Sequence, residues 1–259
     1  TMPVKFQIKG KTMLGVQSLD TITNKSFRGQ GLFVKAATHQ YQRCKEQQVA
    51  LVYGFPNGNS VHGFKKHLDW NMMDPLPFIF KPIRTGYFFK KIIGNKLGAF
   101  FDFPLLTTKE ILFRDTQVME TITEFTNDHD LLWEDFSQDI KVSVVRNSEY
   151  LNWRYISKPG ENYLIRQVVE NGKVVAIVIY CCKEKHGGKV GYIMELMYLK
   201  GYEELGEKLL GIASNYFLLN KVDLVLSWVF NFSPNYKAFK SSGYYTLPEK
   251  IRPMELHFG

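Results

Sequence analysis

Residues 28–33 read Arg-Gly-Gln-Gly-Leu-Phe, and Leu32, Phe33, Ala36, Ala37, Tyr41 and Cys44 then follow at spacings of three and four up to about Gln47. That spacing predicts a helix with one apolar face, which puts Gly29 and Gly31 at its N-terminus. The first amides of a helix have no intrahelical partners and lie at the positive end of its dipole. Glycines take up positive φ and let successive N–H groups converge on one anion. Arg28 adds a charge-assisted contact. The chemistry on offer is the binding of phosphate. The nucleotide fingerprints fit badly, because a Walker A loop ends in Gly-Lys-Ser/Thr and a dinucleotide loop has a third glycine.

The elements that position this loop can be read around it. Residues 4–10 (VKFQIKG) and 11–23 (KTMLGVQSLDTIT) look like two strands turning at Gly10. Residues 49–55 (VALVYGF) form a third strand that stops at Pro56, and Asn59 or Ser60 is the expected N-cap of a short helix ending near Leu68. The order is strand, strand, glycine loop, helix, strand, helix. The second half repeats it. YLIRQVVE and KVVAIVIYCCKE flank Asn171-Gly172, a strong hairpin signal, and Gly187-Gly188 leads into VGYIMELMYL. A helix over 202–219, the strand VDLVLSWVF and a short helix ending in FKSSGYY complete it. This parallel predicts an internal duplication. Residues 75–116 lack clean periodicity, so the expected division is 1–116 and 117–259.

The 259 residues are 45% apolar, ample for buried cores, and no apolar run approaches the roughly 20 residues of a membrane span. The net charge of +8 points to an anionic partner. Lys and Arg are scattered and form no stripe, so a phosphorylated cofactor accounts for the charge more simply than nucleic acid. Cys44, Cys181 and Cys182 offer neither a disulfide framework nor zinc spacing, which predicts free thiols in a reducing cytoplasm and no metal. No secretion signal is visible, and the opening on Thr1 suggests a fragment or processed product.

Read from Arg28 to Phe33, the loop resembles the Arg/Gln-x-x-Gly-x-Gly/Ala signature of the GNAT superfamily of N-acetyltransferases. There it joins the fourth strand to the third helix and holds the pyrophosphate of acetyl-CoA. The surrounding order is similar to GNAT, with GVQSLDTIT as the fourth strand, VALVYGF as the fifth and NSVHGFKKHLDW as the next helix. QSLDTITNKSFRGQGLF and NWRYISKPGENYLI resemble bacterial two-repeat members, several of them linked to cell-surface polysaccharide synthesis. The resemblance implies an α/β protein of mixed α+β sheets in tandem GNAT-like repeats. The first repeat begins at its third strand, so its N-terminal elements are missing or lie upstream. Three departures stand out. Phe33 replaces a small residue, Asp69-Trp70 stands where typical members have Gly-Phe, and YLKGYEELGEK brings two glutamates to the loop position of the second repeat, which is therefore not expected to bind CoA.

The implied activity is an acetyl-CoA-dependent N-acyltransferase in which a primary amine attacks the thioester directly in a ternary complex. The implied acceptor is small and polar, an amino sugar or sugar nucleotide. Backbone amides of Thr21, Ile22 and Thr23 would polarise the thioester oxygen. Asp20 is the one carboxylate on that strand and the candidate base, against a strand-end structural reading; Gln17 and Ser18 could orient a water or the acceptor. Amides and side chains of Arg28, Gly29, Gln30, Gly31, Leu32 and Phe33 would hold the pyrophosphate. Asn57, Asn59 and Ser60 would border the cofactor arm, Asn57 being preferred over plain turn chemistry. Lys65 occupies the position of the usual tyrosine acid, so that role is unassigned, and His62 and His67 are surface or structural candidates. Two alternatives stay open: a degenerate module that binds CoA or a sugar without turnover, and an aminoacyl-tRNA-dependent transferase.

Overall fold

The computed structural model describes residues 1–19, 21–73, 76–105, 118–119, 122–185, 187–249, 252 and 257–259. Its strands in chain order are β1 (Met2–Ile8), β2 (Lys11–Ser18), β3 (Leu51–Gly54), β4 (Phe78–Pro82), β5 (Val118–Met119), β6 (Val142–Val144), β7 (Leu164–Glu170), β8 (Lys173–Lys185), β9 (Gly188–Tyr198), β10 (Leu224–Trp228) and β11 (Tyr245–Thr246). The helices are α1 (Leu32–Glu46), α2 (Gly58–His67), α3 (Gly86–Ile93), α4 (Asn95–Gly98), α5 (Asn127–Phe136), α6 (Ser148–Leu151), α7 (Glu203–Leu219) and α8 (Tyr236–Ser241). They make two compact units, each with a mixed sheet. The first comprises Thr1–Leu76, Ile140–Val145 and Arg252–Gly259, and the second Pro77–Asp139 and Arg146–Ile251.

In the first unit the sheet order is β3-β2-β1-β6. β1 and β2 are antiparallel and turn through Lys9 and Gly10, whose φ values of 49° and 77° are those of a tight two-residue hairpin turn. β3 runs parallel to β2, as the crossover through α1 requires. Val4, Phe6, Val16, Cys44 and Phe64 are buried here. β2 ends at Ser18, short of the strand expected to reach Thr23, and Ser18↔Gly54 is its last pair with β3. Pro56 lies two residues beyond Gly54 and has no N–H to continue a ladder.

The compact units cut across the expected boundary at 116 and 117. β4, from the first half of the chain, lies antiparallel to both β10 and β11 in the second unit. In return β6, from the second half of the chain, pairs antiparallel with β1. Gly259 and Gly54 exchange backbone hydrogen bonds (2.9 and 3.3 Å), and Phe258 forms an isolated bridge with Met73. Unpaired edges of β1 and β3 would leave backbone groups unsatisfied; segments distant in sequence cover both.

The second unit has the sheet order β11-β4-β10-β9-β8-β7-β5. Asn171 and Gly172 turn β7 into β8 at φ 50° and 75°, as the sequence predicts. β8 and β9 are antiparallel and β10 is parallel to β9, so the pairing of β1, β2 and β3 recurs. Leu209, Leu210, Ala213 and Phe217 of α7 pack with Val178, Tyr180, Ile193 and Val225 into the core of this unit.

Candidate functional site

A cleft of 730 Å³ opens in the first unit between the diverging ends of β2 and β3 and the N-termini of α1 and α2. Residues 24–27 form a 3-10 turn in which Ser26 N–H donates to the Asn24 side chain, and Arg28 Nε donates to Thr23 O at 3.3 Å. Gly29 and Gly31 then lie at φ 79° and 70°, backbone that L side chains rarely adopt. Gly31 caps α1 without a side-chain bond, and the first turn contains no acidic residue. The first helical bond is Lys35 N–H to Gly31 O, so the amides of Leu32, Phe33 and Val34 stand outside the ladder at the positive end of the dipole. With Arg28 beside them, this end of the cleft suits an anion.

The glycine loop and α2 meet through aromatic packing. Phe33 lies edge-on to Phe64 with ring centroids 5.0 Å apart. A Cβ on Gly63 would come within 3.2 Å of the Phe33 ring, so the glycine of α2 makes room for the side chain that replaces the usual small residue. At the base of the cleft a Cβ on Gly54 would sit 2.9 Å from Ser18 O and 3.0 Å from Trp70 Cη2. Trp70 Nε1 donates to Tyr41 Oη at 3.2 Å. Burial pushes the Tyr41 phenol above its ordinary pKa, while hydrogen bonds from Trp70 and Ser18 pull the other way. Asp69, just before Trp70, takes φ 52°, the conformation for which a glycine is the usual choice.

The sequence-expected residues divide as follows. Ser18, Thr21, Ile22, Thr23, Arg28, Gly29, Gly31, Leu32, Phe33, Asn57, Asn59 and Ser60 line the cleft, whereas Gln17 and Gln30 do not. Gln17 Oε1 accepts a hydrogen bond from Tyr53 at 3.2 Å. Thr21, Ile22 and Thr23 lie past the end of β2, so their amides belong to a loop and not to the strand. Asp20 lies outside the described residues. The helix cap is Asn57 rather than Asn59 or Ser60. Its side chain accepts from Asn59 N and Ser60 N (3.0 and 3.1 Å), and Ser60 Oγ accepts from Asn57 N at 3.1 Å, a reciprocal capping box. Lys65, His62 and His67 are exposed and do not line the cleft. Phe64 and Trp70 also line the cleft, which sequence reasoning did not anticipate; the aromatic residue closing α2 was the available signal.

In the second unit side chains hydrogen-bond across β9, β10 and the segment leading into α8. Tyr198 Oη donates to Pro234 O at 3.0 Å, Asn235 Nδ2 to Leu196 O at 2.8 Å and Ser227 Oγ to Ile193 O at 3.0 Å. A Cβ on Gly206 would meet the Tyr198 ring at 2.4 Å, so the phenol is wedged against α7. Burial, and then the charges of Glu203 and Glu207, push Tyr198 up to about 12. The first turn of α7 carries Glu203 and Glu204, which repel an anion. Glu195 of β9 is held from two sides: Tyr155 Oη donates to its Oε1 at 2.8 Å and Arg146 Nε to its Oε2 at 2.9 Å.

No family model and no curated protein matches this chain. Among solved structures, Saccharomyces cerevisiae N-myristoyltransferase with bound myristoyl-CoA aligns with 99% of it at a TM-score of 0.60 and 10% identity. A GCN5-related N-acetyltransferase of Anabaena variabilis aligns with 99% of it at 0.63 and 10% identity. A conserved protein of Enterococcus faecalis aligns at 0.57 and 14% identity. The chain spans 64%, 57% and 56% of the length of these three structures. At such identity the likeness is one of fold: the chain has the mixed α/β fold of GNAT-type N-acyltransferases.

Proposed function

We propose that the chain is part of an acetyl-CoA-dependent N-acyltransferase that binds one CoA thioester in the first unit and acylates a primary amine of a small polar acceptor, an amino sugar or sugar nucleotide. The observation that carries this reading is the acid-free, uncapped start of α1 opening onto the cleft where β2 and β3 part. The pyrophosphate would lie on the amides from Gly29 to Phe33 with Arg28 beside it, and the pantetheine arm would run toward Ser18 and Gly54. The amine nitrogen attacks the thioester carbonyl carbon, the C–S bond breaks, CoA leaves as thiolate, and the ammonium proton passes to a base or to water. Asp20 is the proposed base. Amides of the loop from Thr21 to Thr23, residues that line the cleft, would polarise the thioester carbonyl oxygen as it gains charge.

A second reading is a module that binds CoA without turnover. It is favoured by one observation: among the described residues lining the cleft there is no carboxylate. The two separate in one experiment, incubation with acetyl-CoA and a panel of amino sugars and sugar nucleotides with free thiol measured. Acceptor-dependent release of CoA supports the transferase. Binding of acetyl-CoA with no release for any acceptor supports the module, and no binding at all sinks both.

A further inference from the structure

The fold does not by itself set the length of the acyl chain. One of the structures it matches holds myristoyl-CoA and another is a GCN5-related N-acetyltransferase. Something in each chain must close or open the cleft to an acyl tail, and here the indole of Trp70 lines it beside Gly54. Ser18↔Gly54 is the last pair before the strands part, and Trp70 lies against Gly54 so closely that a Cβ there would be 3.0 Å from Cη2.

The indole is held from several sides. Its Nε1 donates to Tyr41 Oη at 3.2 Å, its ring lies 4.5 Å centroid to centroid from Phe64, and its backbone N–H donates to Phe64 O at 3.3 Å. Phe64 in turn packs on Phe33 of the glycine loop. A side chain with one hydrogen bond and two aromatic neighbours does not swing aside cheaply, since an indole N–H buried without a partner costs free energy. Ser18, the other residue of that last pair, is tied to the same Tyr41 hydroxyl. The base of the cleft is thus a fixed aromatic wall.

We propose that Trp70 is the floor of the acyl subsite and restricts the thioester to short acyl groups. This rests on the proposed placement of CoA in the cleft. An acyl tail that ends before the indole fits. Each added methylene must displace a well-packed ring or fold back toward water, and one methylene in an apolar pocket is worth roughly 10- to 200-fold in discrimination. Replacing the indole by a small side chain opens an apolar hollow bounded by Phe64 and Gly54 that added methylenes can fill.

The test is the affinity of the wild-type chain and of Trp70→Ala for CoA, acetyl-CoA, butyryl-CoA and octanoyl-CoA, by calorimetric titration without acceptor. Trp70→Leu and Tyr41→Phe accompany it, so that an unfolded variant does not end the experiment. The expected wild-type result is acetyl-CoA bound at least tenfold more tightly than octanoyl-CoA. In Trp70→Ala the octanoyl-to-acetyl affinity ratio rises at least tenfold, with free CoA as the reference for any change common to all four ligands, and Trp70→Leu and Tyr41→Phe shift the ratio the same way by less. A wild-type chain that binds octanoyl-CoA as tightly as acetyl-CoA, or a ratio unchanged in every folded variant, overturns the inference and leaves the proposed function standing. A wild-type chain that binds none of the four overturns the proposed function and this inference with it.

Discussion

Gly31 and Arg28 serve the cleft in different ways. A Cβ at Gly31 meets nothing within 4 Å, so Gly31→Ala acts through the backbone, which must hold φ 70°. That strain is on the order of 1–2 kcal/mol and should appear as a lower melting temperature. Gly31→Asp tolerates the left-handed backbone better but puts a carboxylate at the N-terminus of α1. It should keep a near-wild-type melting point and lose the stabilisation given by saturating acetyl-CoA. Arg28 is exposed, and Arg28→Ala leaves the helix amides in place, so it should weaken binding by roughly fivefold or less. Asp20→Asn should lower turnover by about 10²-fold with little change in CoA affinity; unaltered turnover would return Asp20 to a structural role. The glycine loop was legible at this scale because positive φ and absent acids are properties of residue type. The part played by Trp70 was not, because it depends on packing against Gly54 and Tyr41, which spacing along the chain does not encode.

Among the elements, α1, β3, α2 and the β7–β8 hairpin were readable from periodicity and turn residues. The start of α2 and the end of β2 were not. Asn57, Asn59 and Ser60 are all competent caps, and the choice falls to Asn57 because Ser60, three residues on, returns the hydrogen bond. Asn57→Ala should therefore destabilise the protein by about 1 kcal/mol. Its effect on acetyl-CoA affinity should be confined to what a frayed α2 transmits, since the Asn57 side chain is already committed to the cap. Chemical denaturation compared with calorimetric titration separates the two; a large loss of affinity at unchanged stability would make Asn57 a direct contact. β2 looked longer in sequence because LeuAspThrIleThr continues a strand-like pattern. A strand also needs a partner, and β3 gives way to Pro56. The early end of β2 is what opens the cleft.

The molecule as a whole was legible as two units of like order, but not as two units that exchange segments. Nothing in the local pattern of residues 78–82 distinguishes a strand that stays with its own half from one that joins the other, because pairing partners are fixed by tertiary contact. The exchange carries a prediction: residues 1–116 expressed alone lack β6 and Phe258–Gly259 and should not melt cooperatively, while the full chain should. A cooperative transition in the fragment would show that the borrowed strands are dispensable. With Tyr198 against Gly206 and two glutamates at the start of α7, the second unit is proposed not to bind CoA, so that one site per chain is expected. Calorimetric titration of acetyl-CoA into the full chain and into Gly31→Asp tests that claim most directly. The account predicts one site per chain in the wild type and no measurable heat of binding in the folded variant; two equivalent sites, or a variant that binds as the wild type does, would contradict it.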